Sequence, residues 1–121
     1  MVEEKLTMPV IDVRDAIRGL TSDLGVDNRV LAGAMQTDES AVKRWLAGAH
    51  YPQRDSRARL DALIALRDHV MDTFDALEAA KAWMHTDNRY LGWLSLVNVL
   101  LAGRIDRVEA ALAVLDAGMF I

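Results

Sequence analysis

The spacing of the apolar residues constrains this chain most: they recur every three or four positions almost from end to end and hardly ever alternate. With no β-branched runs and two prolines near expected helix boundaries, the pattern predicts an all-α fold. Val10, Val13, Ile17 and Leu20 form one stripe of a first helix, which Pro9 can open and which ends near Ser22 to Gly25. Asp27 is placed to cap a short second helix with Val30, Leu31 and Ala34 inside. Met35 to Thr37 then turn the chain into a third helix from about Asp38 to Ala47, stopped by Gly48. After a connector from Ala49 to Asp55, Leu60, Leu63, Ile64, Val70, Met71, Phe74 and Leu77 keep helical register over one long helix or a kinked pair that continues toward Trp83. Thr86-Asp87-Asn88-Arg89 reads as a turn, and Leu91 to Ala102 as a buried helix, apolar nearly all round, that Gly103 ends. Ile105, Val108, Leu112 and Leu115 line a last helix, closed by Gly118 before the apolar tail Met119-Phe120-Ile121.

A chain of 121 residues, 52% hydrophobic, can bury one compact core or two very small domains that share one. Its formal charge of -4 supplies no polyelectrolyte excess, so any nucleic-acid site must be local. The absence of cysteine excludes a disulfide framework, a thiolate nucleophile and sulfur-ligated zinc, and fits a cytoplasmic setting. Met1 to Met8 has no apolar run of the kind a secretory signal needs, and Leu91 to Ala102 is too short for a bilayer, which takes about 20 residues. His50, His69 and His85 are too far apart for a helical metal site and read as surface or capping residues. With no Gly-rich phosphate loop and no Ser-His-Asp signature, neither an enzyme nor a cofactor is expected, and Asp72, Asp75 and Glu78 read as a solvated helix face.

Charge is uneven along the chain. Residues 1–28 carry 3 basic and 6 acidic groups, residues 29–67 carry 7 and 4, and residues 68–121 carry 4 and 8. The net-basic middle contains Val30 to Gly48, which has the spacing of a helix-turn-helix, with a small residue at Ala32 or Gly33 for close approach of its partner helix. The second helix of the pair buries Ala41 or Val42 with Trp45 and presents Ser40, Lys43 and Arg44. These residues, with Arg44-Trp45-Leu46-Ala47-Gly48 and then Pro52-Gln53-Arg54, resemble the Cro/Xre repressor class. The resemblance implies DNA contacts from Ser40, Lys43, Arg44 and Arg54. Asp38 and Glu39 stand where that helix would meet phosphate, so binding should be weak and helped by dimerisation or a partner.

In the last third, Trp83-Met-His-Thr-Asp-Asn88-Arg89-Tyr-Leu91-Gly92, Leu100 to Gly103, Arg107-Val108, Leu112 and Gly118-Met-Phe-Ile121 resemble the toxin-binding domain of the Xre/MbcA/ParS antitoxins. Leu96 stands where that family usually has proline, and Arg104-Ile105 replaces a commonly acidic and glycine-containing pair. The resemblance implies three segments: residues 1–55 with an Xre-like helix-turn-helix at about 27–48, a connecting helix over 56–82, and a toxin-binding domain over 83–121. It also implies a partner, a RES-domain toxin that destroys NAD, blocked at its NAD pocket by Asn88, Arg89, Gly118, Met119, Phe120 and Ile121. Operator DNA and a homo- or hetero-oligomer complete the implied assembly. Read from the residues alone, Trp83 and Leu91 belong to the core, Asn88 is a cap or turn residue, and the exposed apolar tail must dock somewhere, on a partner or, as the alternative, on its own domain. A stand-alone transcriptional regulator that dimerises through its C-terminal helices, and a structural adaptor without DNA binding, are the alternatives.

Overall fold

The computed structural model describes residues 12–118. Its first helix, α1 (Val13–Leu24), is set by Asp12, whose carboxylate accepts the backbone N–H of Arg14 at 3.0 Å and of Asp15 at 3.4 Å. A carboxylate that satisfies orphan N–H groups in this way fixes the helix start, and Pro9 and Val10 lie outside the described residues. Asp27 caps α2 (Asn28–Ala34) through Val30 N–H at 3.0 Å, and Asp38 caps α3 (Glu39–Leu46) through Ala41 N–H at 2.8 Å. Between these two helices Gln36 takes a positive φ of 56°.

The long apolar register resolves into two helices. α4 (Arg54–Thr73) stops where Phe74 becomes extended, and α5 (Leu77–His85) begins after Ala76. Phe74 and Trp83 face each other across this break, their ring centroids 5.4 Å apart. The stretch expected as one helix from Leu91 to Ala102 is not one. β1 (Asp87–Asn88), a 3-10 turn (Arg89–Leu91) and β2 (Leu94–Ser95) form a small antiparallel hairpin, with Asp87 opposite Ser95 and Asn88 opposite Leu94. Ser95 then caps α6 (Leu96–Leu101) by accepting Asn98 N–H at 3.1 Å, and α7 (Ile105–Asp116) follows. Leu96 thus occupies the first helical position, where proline is most readily accepted, and leucine serves because the serine cap has already set the start.

Buried side chains from every part of the described chain meet in a single cluster: Ile17, Leu20 and Leu24 of α1, Leu31 of α2, Val42 and Trp45 of α3, Leu60, Leu63 and Leu66 of α4, Met84, Leu100 and Leu112. Each leucine so placed contributes about 1.5–3 kcal/mol of burial. Trp83 is only partly buried, at the margin of this cluster, whereas Leu91 is 4% exposed. α2 packs against α3 and also lies along α6, while α4 lies between α1 and α7. The crossing of α2 and α6 explains Gly33: a Cβ there would sit 2.2 Å from the Leu101 carbonyl oxygen. The close approach serves α6 and not the third helix, as the short-helix spacing had suggested.

Candidate functional site

Two surfaces stand out from this scaffold. The first is the hairpin between α5 and α6. Asn88 is 4% exposed; its side-chain oxygen accepts Tyr90 N–H at 2.8 Å and its carbonyl accepts Trp93 N–H at 2.9 Å. A buried amide that uses its oxygen this way fixes the loop from within, so Asn88 positions its neighbours and does not itself face solvent. The loop turns through Gly92 at φ 70° and then through Trp93, also at φ 70°. Glycine takes that conformation freely, whereas a bulky L-residue is disfavoured there by roughly 1–2 kcal/mol. Trp93 does not recover this by burial, since it is 65% exposed. With Tyr90 and Leu94 it forms an apolar tip, and these three are among only four large hydrophobic residues exposed in the described chain. Arg89 is exposed beside them. Unrecovered strain that holds an aromatic ring in water is a mark of a contact surface.

Sequence reasoning singles out Asn88 and Arg89 in this loop and gives Tyr90 only as part of the motif, while a helix drawn back to Leu91 hides Trp93 and Leu94. Two local signals were present: Gly92 inside the apolar run, and Ser95 three residues before Asn98, the spacing of a serine cap.

The end of α7 belongs to the same third of the chain. Gly118 is exposed at φ 80°, a conformation that turns the chain away from the helix axis. Met119, Phe120 and Ile121 lie outside the described residues. His69 and Thr73 of α4 hold the last turn: His69 Nδ1 lies 2.5 Å from Glu109 Oε1 and its Nε2 2.5 Å from Asp116 Oδ2, while Thr73 Oγ1 donates to Asp116 Oδ1 at 2.7 Å. His85, by contrast, donates from Nε2 to the Gly25 carbonyl at 2.8 Å and acts as a helix cap.

The second surface is the outer face of α3. Ser40, Lys43 and Arg44 are exposed, as is Arg54 at the start of α4, whereas Trp45 is 6% exposed and packs inward with Ala41 and Val42. Asp38 spends its carboxylate on the helix cap, and Glu39 lies 3.9 Å from Lys43. Tyr51, 73% exposed in the connector before Arg54, adds an aromatic ring that the sequence reading did not single out. Among the described residues, no three His, Cys, Asp or Glu side chains are grouped to hold a metal ion, and no helix is long and apolar enough to cross a membrane.

No protein-family model matches the chain. It is 25% identical over 114 residues to the "Mycobacterial cidal antitoxin MbcA" of Mycobacterium tuberculosis and of Mycobacterium bovis, a match that covers 94% of this chain and the whole of each relative. Among solved structures it superposes with a TM-score of 0.65 on a chain of the M. tuberculosis MbcT-MbcA toxin-antitoxin complex, at 25% identity, covering 93% of this chain and all of that one.

Proposed function

We infer that the chain works as what this end-to-end likeness makes it, an MbcA-type antitoxin: a non-enzymatic protein that neutralises a toxin by binding it. The observation that carries the reading is the match over the full length of the antitoxin relatives and 94% of this chain. The hairpin supports it physically, since Tyr90, Trp93 and Leu94 offer a protein partner apolar surface on a loop already fixed by Asn88. The partner is a RES-domain toxin that degrades NAD, and the C-terminal third, with Asn88 as loop support and Arg89, Gly118, Met119, Phe120 and Ile121 as contacts, closes its NAD pocket. Blocking a cleft in this way needs buried surface and no chemistry. Affinity purification of the tagged chain co-expressed with the product of the adjacent reading frame tests this. The expected result is a stable complex; two proteins that elute separately would refute it.

The hairpin yields a separable variant. Trp93→Gly should leave stability unchanged to within about 1 kcal/mol, because relief of the positive φ offsets the added freedom of the unfolded chain. The same change should weaken toxin binding by on the order of 30-fold, the effect of losing an aromatic anchor. Thermal melting and calorimetric titration read the two quantities; unchanged affinity would remove Trp93 from the interface.

The α2–α3 pair gives the chain its second role in this reading, repression of its own operon through phosphate contacts from Ser40, Lys43, Arg44 and Arg54. Replacing Lys43 and Arg44 with alanine should lower affinity for all DNA sequences and flatten the log–log salt slope by about 2, roughly 0.9 for each lost contact. An unchanged slope would take α3 out of the DNA interface.

A further inference from the structure

Helix α7 is anchored in the core by Ile105, Val108, Ala111 and Leu112, and past Leu112 that anchoring fades. Leu115 is only half-buried, and Asp116, Ala117 and Gly118 are exposed. Besides Leu115 at the edge of the core, what ties the last turn to α4 is polar. Glu109 and Asp116, two helical turns apart on one face of α7, meet His69 and Thr73, one turn apart on one face of α4. His69 sits between the two carboxylates, and both oxygens of Asp116 are occupied.

We propose that His69 is a positioning residue for the C-terminal segment: clamped between Glu109 and Asp116, it fixes the last turn of α7 and so the direction in which the chain leaves Gly118 toward its partner. This rests on the reading that the C-terminal segment binds the toxin. The clamp needs the imidazolium, because only that form donates from both ring nitrogens; the neutral ring turns a lone pair toward one carboxylate. The hydrogen bond to Asp116, opposed by partial burial and reinforced by the bond to and charge of Glu109, holds His69 above its ordinary value of 6.5. The bonds from His69 and then Thr73 hold Asp116 below its ordinary 3.8. The stabilisation from His69 is therefore complete below about pH 6.5 and is lost as pH rises through the higher folded value. That from Asp116 is complete above about pH 4 and is lost as pH falls through its lowered value. Glu109 and Asp116 of α7 are the charged groups that act on His69; on α4, neighbouring Asp68 is bound by Arg67 at 3.1 Å and Asp72 is exposed, and Asp23 of α1 lies 3.8 Å from Arg67.

The test is the backbone order of Asp116, Ala117 and Gly118, read by amide NMR relaxation in the native full-length chain, in His69→Gln and in Glu109→Gln, at pH 5.5 and pH 8.5. The native chain should be rigid at the lower pH and looser at the higher, His69→Gln loose at both, and Glu109→Gln should lower the titration midpoint of His69. Affinity for the product of the adjacent reading frame should follow, with the ratio of variant to native dissociation constant on the order of tenfold at pH 5.5 and falling as pH rises and the imidazolium is lost. A ratio that stays constant across pH, or a last turn equally ordered in all three chains, overturns the inference. A native chain lacking residues 118–121 separates the two readings. If it binds normally, the C-terminal reading fails and the positioning role falls with it; if it fails to bind while the ratio is flat, the positioning role alone is wrong.

Discussion

Replacing Gly33 with alanine is expected to destabilise the chain by about 3 kcal/mol or more, at the upper end of what overpacking does. The reason lies in what the added methyl meets. Its position is 2.2 Å from the Leu101 carbonyl oxygen and 2.9 Å from the carbonyl carbon, backbone atoms of α6 that cannot move without moving the helix. α2 and α6 would have to separate, opening the core around Leu31 and Leu100, both fully buried. For a chain of this size the loss corresponds to a fall in melting temperature on the order of 10 °C. Gly19→Ala is the matched control. It lies inside α1, where its Cβ meets only the flexible tip of Arg67 at 3.1 Å, so the gain in helix propensity, up to about 1 kcal/mol, should prevail. Two glycine-to-alanine changes are thus expected to act with opposite signs, and equal melting temperatures would contradict the α2–α6 crossing.

Deleting residues 118–121 should have the largest effect on binding. The fold should hardly respond, because Leu112 is the last fully buried side chain of α7 and the contacts of Asp116 with His69 and Thr73 remain. On the proposed C-terminal contact, affinity for the toxin should fall on the order of 100-fold, the scale of losing one aromatic hot spot with its aliphatic neighbours. Paired measurements of melting temperature and dissociation constant read this directly. Full affinity in the truncated chain would move the contact to the hairpin and the face of α7.

The helices and their ends were legible where the deciding chemistry is local. Asp27 caps as its position suggests, and the helical period that put Lys43 and Arg44 outside also put Trp45 inside. The hairpin was not legible in the same way. An apolar run such as Leu91 to Ala102 carries no period of its own, so its division at Gly92 and Ser95 depends on what surrounds it: Leu91 and Leu96 go into the core, while Trp93 and Leu94 stay out. Asn88 was singled out by resemblance, but its burial beneath the loop follows from the pairing of β1 with β2. Gly33 and His69 belong to a third kind. Their partners lie in α6 and α7, some 40 or more residues further along, and spacing within one helix does not report them.

One titration decides whether the chain neutralises a toxin in this way. The purified chain is added in steps to the product of the adjacent reading frame, proposed as its toxin, while NAD is followed in solution. NAD consumption should fall linearly and stop at a fixed molar ratio of the chain to the toxin. Consumption that continues unchanged in the presence of excess folded chain would contradict it.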